Sequence, residues 1–103
     1  MLFGLSEDTV ERIRAVFRAH PEIDEVILYG SRAKGDQKPG SDIDLACRGQ
    51  DLTHAAVNRI LCELDELLLP YSIDLADIEA IDNRELLDHI NRVGRTFYRR
   101  TKE

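Results

Sequence analysis

The sequence predicts a small α/β (α+β) domain: a three-stranded sheet packed by helices, in the order helix, strand, turn, strand, helix, strand, helix. Three observations carry that reading. Apolar side chains recur at three- and four-residue spacing in three separate stretches, as they do on one-sided helices. Three short runs, 25–29, 42–47 and 72–76, are instead β-branched and apolar or alternate acid with aliphatic, as strands do. Proline and glycine stand between these segments and not inside the strands.

Ser6 caps the first helix, and Glu7 and Asp8 place negative charge in its opening turn, where the helix dipole favours it. Val10, Ile13 and Phe17 form its apolar stripe. A residue before proline resists helical backbone, so His20-Pro21 ends the helix and His20 reads as a boundary residue. Glu25 to Tyr29 is a largely buried first strand, ended by Gly30. Ser31 to Lys34 makes one helical turn closed by Gly35, and Pro39-Gly40 makes a second turn. Strand two runs from Asp42 to Cys47. Asp51 caps the second long helix, whose wide apolar face carries Val57, Ile60, Leu61, Leu64, Leu67 and Leu68 until Pro70 stops it. Ser72 to Ala76 is the third strand. Asp82, with Glu85 three residues on, makes a capping box for a last helix striped by Leu86, Ile90, Val93 and Phe97. Gly94 inside that stripe costs about 1 kcal/mol relative to alanine, which weakens or bends the helix there.

With 103 residues the chain has room for one core, and a single domain is expected over 1–103. Its 43% hydrophobic and 33% charged residues fit a globular chain, not a disordered one. No apolar run approaches the ~20 residues of a membrane span. Met1 to Leu5 is too short for a secretory signal and has no basic lead, so a cytoplasmic protein is expected. Cys47 and Cys62 have neither zinc nor disulfide spacing; each lies in an apolar stretch, where a thiol serves as a small core residue.

A net charge of −6 argues against unspecific nucleic-acid binding, which needs a basic footprint to displace phosphate counterions. The tail is the exception. Arg92, Arg95, Arg99, Arg100 and Lys102, with Phe97 and Tyr98, read either as a contact for an acidic partner or RNA, or as a solvated helix end whose cations complement the dipole. Met1, Leu2, Phe3 and Leu5 form an apolar end without helical period, of the kind that covers a neighbouring surface.

The chemistry concentrates between Gly30 and Leu45. Side chains two apart on a strand share a face, so Asp42 and Asp44 are neighbours while Ile43 and Leu45 face the core. Two carboxylates so close repel, which raises one pKa unless a cation sits between them. Asp74 repeats the pattern on the third strand, and if strands two and three are adjacent, three carboxylates converge. Hard oxygen donors suit Mg²⁺ or Mn²⁺, not zinc. Gly30 lets the backbone approach a ligand, and Ser31 offers a hydroxyl and an amide beside it, an arrangement that favours phosphate. Arg32 and Lys34 either add charge to the same anion or form a solvated, exposed pair. A Walker A loop is excluded because Asp36 and Gln37 replace its lysine and hydroxyl; the EF-hand and dinucleotide patterns fail as well. The bland reading, three solvent-facing acids on half-buried strands, is weakened because aspartate is disfavoured inside strands.

Gly30-Ser31, the Arg32-Ala33-Lys34-Gly35 turn, Ser41-Asp42-Ile43-Asp44-Leu45 and Ile73-Asp74-Leu75 together resemble the signature of the DNA polymerase β-like nucleotidyltransferase superfamily. The chain length resembles its smallest branch, the MNT (minimal nucleotidyltransferase) proteins. The resemblance implies a mixed sheet, with Asp42 and Asp44 holding two catalytic Mg²⁺ ions and Asp74 completing one metal site and helping to activate the attacking hydroxyl. It implies that Gly30 and Ser31 hold the β- and γ-phosphates of ATP, with Arg32, Lys34 and Ser41 in the same phosphate-binding set. Lys34 stands where relatives often have arginine, which keeps the charge but not the bidentate fork.

The reaction so implied is in-line attack on the α-phosphorus with loss of pyrophosphate. MNT proteins are typically paired, as hetero-oligomers, with a HEPN-domain protein in toxin–antitoxin modules, where a tyrosine of the toxin can be adenylylated. Two functions are therefore expected to compete: AMP transfer onto that partner, or neutralisation by contact with little catalysis. A third, transfer to a small molecule such as an aminoglycoside, lacks an acceptor-binding domain within these residues.

Overall fold

Strand β1 (Ile23–Tyr29) lies between β2 (Ile43–Gly49) and β4 (Arg95–Arg99) and is antiparallel to both. Strand β3 (Ile73–Asp77) adds in parallel on the far side of β2. The computed structural model, which describes residues 2–101, thus holds a mixed sheet of order β3-β2-β1-β4. Among the described residues four α-helices and one 3-10 turn (Ile78–Ala80) accompany it: α1 (Glu7–Arg18), the single turn α2 (Ser31–Lys34), α3 (His54–Asp65) and α4 (Arg84–Val93).

The register sorts the side chains into two faces. Leu28 stands opposite Leu45, and Leu45 opposite Leu75; Val26 and Cys47 pair two residues along the same face. These side chains join Val10, Ile13 and Phe17 of α1 and Val57, Ile60 and Leu64 of α3 in one core cluster. Each large aliphatic or aromatic side chain so buried contributes about 1.5–3 kcal/mol. On the other face, Tyr29 stands opposite Asp44, and Asp44 opposite Asp74. Helices α2 and α4 pack against β1 beside that row.

The expected three strands are four. The last helix stops at Val93, and the apolar stripe expected to reach Phe97 on that helix crosses into a strand. Gly94 leaves the helix at φ −59°, ψ 141°. A Cβ there would run into the Ile90 carbonyl and lie 2.7 Å from Ile27 Cγ2, so the chain passes β1 too closely for any side chain. Phe97 is buried on β4 and stacks on Phe3 at 5.7 Å. Of the basic tail, Arg92 alone stands in the last turn of α4, while Arg95 and Arg99 lie on β4. Arg99 shares Glu25 with Arg48, and Arg100 donates to the carbonyls of Ile23 and His20. Lys102 lies outside the described residues.

Other boundaries shift for local reasons. Ser6 caps α1 by accepting from the Thr9 amide, as expected. Thr53, not Asp51, caps α3, and Asn83, not Asp82, caps α4. Helix α3 ends at Asp65, well before Pro70, and Leu68 falls outside it, exposed at φ 55°. Cys62 is exposed, whereas Cys47 is buried and its thiol is pushed up to about 12, by burial first and then by Asp77. The apolar N-terminal segment covers this chain's own core: Leu5 is fully buried and Phe3 packs against the core, with Met1 outside the described residues. His20 does more than mark a boundary, since its ring reaches Glu63 at 3.0 Å and Glu22 at 3.2 Å. No helix among the described residues is long and apolar enough to cross a membrane.

Candidate active site

Gly30 closes β1 with φ 76°, a backbone region that side chains rarely enter. A Cβ built there would strike the Asp44 carboxylate, so the glycine is the space that the acid occupies. The Gly30 amide donates to His89 Nε2 at 3.1 Å. That nitrogen must be unprotonated to accept, which places the ring proton on Nδ1. The Tyr29 ring meets His89 edge-on at 6.1 Å. A histidine on α4 thus ties the end of β1 to that helix.

Asp44 is the electrostatic centre. Its carboxyl is pushed above the usual range, by burial first, then by repulsion from Asp74 and from Asp42; a positively charged His89 ring would oppose these. The Tyr29 hydroxyl is likewise held above its ordinary value by burial, then by Asp44 and Asp74. Asp42, expected to open strand two, is exposed and lies one position before the observed β2; Asp74 is exposed within β3. The expected adjacency of strands two and three is therefore present, and it sets Asp44 and Asp74 side by side.

Carboxylate oxygens fit Mg²⁺ in chemistry. Among the described residues no three Asp, Glu, His or Cys side chains already form a ligand cluster. Mg²⁺ does not need one, because it is commonly held by one or two carboxylates together with substrate phosphates and water. Asp44, with a carboxyl held unfavourably charged by its neighbours, is the group a cation would relieve.

The remaining candidates divide. Ser31 opens α2 beside Gly30, and its carbonyl accepts from the amides of Gly35 and Asp36. Lys34 is exposed and lies 3.7 Å from Asp36. The Ser41 hydroxyl is engaged by the Lys38 amide at 2.8 Å, so it builds the turn before Asp42. Arg32 corrects the picture of a solvated pair: it is 3% exposed, and its guanidinium donates to the carbonyls of Ser41 and Phe3. His89 escaped the sequence reading altogether. It borders the Leu86–Ile90 stripe, but nothing in the spacing ties it to a glycine 59 residues away.

The family model described as "Polymerase beta, Nucleotidyltransferase" matches residues 11–103. The chain belongs to the polymerase β nucleotidyltransferase family. No protein of curated function matches it. Among solved structures, the polymerase β-type fold recurs in a toxin–antitoxin complex with AMP-PNP, at 24% identity and a TM-score of 0.71, over 93% of this chain and 75% of that one. It recurs in a tri-AMPylated Shewanella oneidensis HEPN toxin in complex with MNT antitoxin, at 20% identity and a TM-score of 0.70, over 93% and 74%. A nucleotidyltransferase-like protein of Sulfolobus solfataricus is more distant, at 18% identity and a TM-score of 0.54, over 94% and 92%.

Proposed function

We propose that this chain, acting as a single minimal domain in the cytoplasm, is a Mg²⁺-dependent nucleotidyltransferase that moves AMP from ATP onto a tyrosine of a HEPN-domain partner and so acts as its antitoxin. One observation carries the reading: Asp44 and Asp74 stand in register on adjacent parallel strands, and the Asp44 carboxylate fills the space left by Gly30 at the mouth of the phosphate turn. The solved relatives with AMP-PNP and with a tri-AMPylated HEPN toxin support the choice of nucleotide and acceptor.

Asp42, Asp44 and Asp74 would hold the metal, which when bound neutralises phosphate charge and lowers the pKa of the attacking hydroxyl. The Gly30-Ser31 turn receives the β- and γ-phosphates, with Lys34 at its exposed rim. The acceptor oxygen forms a bond to the α-phosphorus as the bond to the β-phosphate bridging oxygen breaks. Pyrophosphate leaves with that electron pair, and Asp74 orients the acceptor and takes its proton. His89 contributes by holding the Gly30 amide in place.

The test is intact mass spectrometry of the HEPN-domain partner after incubation with this chain, Mg²⁺ and ATP, beside Asp42→Ala/Asp44→Ala. Removing metal-bound charge stabilisation worth several kcal/mol lowers transfer on the order of 1000-fold, so AMP mass is expected on the partner with wild type only. No mass gain, with a stable complex formed by both proteins, would replace the enzyme by a contact-dependent antitoxin. In parallel, Mg²⁺ with ATP raises the Tm of wild type and not of the double variant.

A further inference from the structure

Arg32 is the buried charged side chain among the described residues, and none of its partners is a carboxylate. A buried guanidinium is costly unless its donors are satisfied. Here Nε and Nη2 both donate to the Ser41 carbonyl, at 3.2 and 2.8 Å. Nη1 donates to the Phe3 carbonyl at 3.0 Å, and the guanidinium carbon lies 4.9 Å from the centre of the Tyr71 ring, a cation–π contact. These partners come from three distant parts of the chain: the turn before α1, the residue directly before Asp42, and the approach to β3 and Asp74. Arg32 itself follows Gly30-Ser31.

We propose that Arg32 is a positioning residue that ties Ser41, and through it Asp42, to the Gly30-Ser31 turn, and that it does not touch phosphate. Asp42 needs such a tie because it lies outside the strand ladder; the first bond beyond it is from the Ile43 amide to the Ser72 carbonyl. The turn before it closes on itself, through Ser41 N to Lys38 O and Lys38 N to Ser41 Oγ. Its outward link is the Ser41 carbonyl, and Arg32 takes that carbonyl with two donors of a planar fork. The N-terminal turn seats against the same group, since a Cβ at Gly4 would lie 3.1 Å from Arg32 Nη1. Fork geometry, not charge, is what this arrangement uses, so lysine cannot replace it. The tie itself is independent of the nucleotidyltransferase reading; its consequence for nucleotide binding rests on that reading.

Two measurements on the full chain test this, with Arg32→Lys, Arg32→Met and, because either can fail to fold, Tyr71→Leu, which removes only the stacked ring. In amide hydrogen exchange, Lys38, Ser41 and Ile43 are expected to lose about tenfold protection in the Arg32 variants, and less in Tyr71→Leu, while α1 and β1 keep theirs. Unchanged protection at these three amides, or an equal loss everywhere, overturns the proposal. In titrations with AMP-PNP, affinity falls about tenfold with Mn²⁺ present and stays within about twofold in EDTA, because only the placement of Asp42 has changed. An equal loss in EDTA would make Arg32 a phosphate ligand and overturn the proposal too. If wild type binds no AMP-PNP, the nucleotidyltransferase reading falls, and the exchange result still decides the role of Arg32.

Discussion

The two faces of one sheet are built on opposite terms. Leu28, Leu45 and Leu75 form an apolar row against α1 and α3, and nearly every side chain around them is fully buried. One pleat away, Tyr29, Asp44 and Asp74 form the matching row, half-buried or exposed, with like charges adjacent and two groups held away from their ordinary pKa values. The first row supplies stability, and the second draws on it. Strand pairing couples them rigidly, because alternate residues of the same strands serve both faces. An acid pair that would loosen an isolated pair of strands is thereby kept in place.

The largest effects should come from the apolar face. Phe17→Ala removes a fully buried ring and is expected to cost about 3–5 kcal/mol, read as a lower denaturant midpoint with an unchanged slope. Any protein that remains folded should bind AMP-PNP as wild type does; a selective loss of binding would show that the faces are not separable. A smaller loss of stability is expected at the boundary between them. Gly30→Ala forces a side chain to φ 76°, at about 1–2 kcal/mol, and pushes the Asp44 carboxylate aside. Its effect on transfer is the greater one, about 100-fold, since that is what a displacement near 1 Å costs an aligned site. Wild-type transfer by Gly30→Ala would break the assignment of Gly30 as the seat of Asp44.

The two faces also differed in how far the sequence disclosed them. That Asp44 and Asp74 turn away from the apolar row was legible because strand periodicity is local: alternate residues share a face, whatever the fold does next, whereas Asp42, expected within the same strand, lies just before it. The adjacency of β2 and β3 was a conditional, and the structure supplies it. The C-terminal stripe failed for the converse reason. Leu86, Ile90 and Val93 do lie on a helix, but Phe97 satisfies helical spacing by coincidence, and the break depends on how closely Gly94 passes Ile27, a tertiary fact. Arg32 and His89 were illegible in kind. Each acts through a backbone group far away in the chain, the carbonyls of Ser41 and Phe3 in one case and the Gly30 amide in the other, and backbone partners leave no trace in residue identity.

The finest contrast between the faces is one of sign. Every truncation on the apolar face should destabilise, whereas Asp44→Asn should stabilise the metal-free chain at neutral pH. The Asp44 carboxyl has a higher pKa in the folded chain than in the unfolded one, so the folded state binds its proton more tightly. Its ionised form therefore costs stability at pH above the raised value, and that cost fades as pH falls through it and is gone below the unfolded value. Asparagine keeps the shape and removes the charge. Its Tm should exceed wild type by a few degrees at pH 7, and the gap should close on acidification toward pH 3.8, the ordinary value of the group. Mg²⁺ with AMP-PNP should invert the order, because only the carboxylate gains from the cation. An Asp44→Asn chain less stable than wild type without metal would mean that the carboxylate is held by favourable contacts, and the division of labour between the faces would fail at its centre.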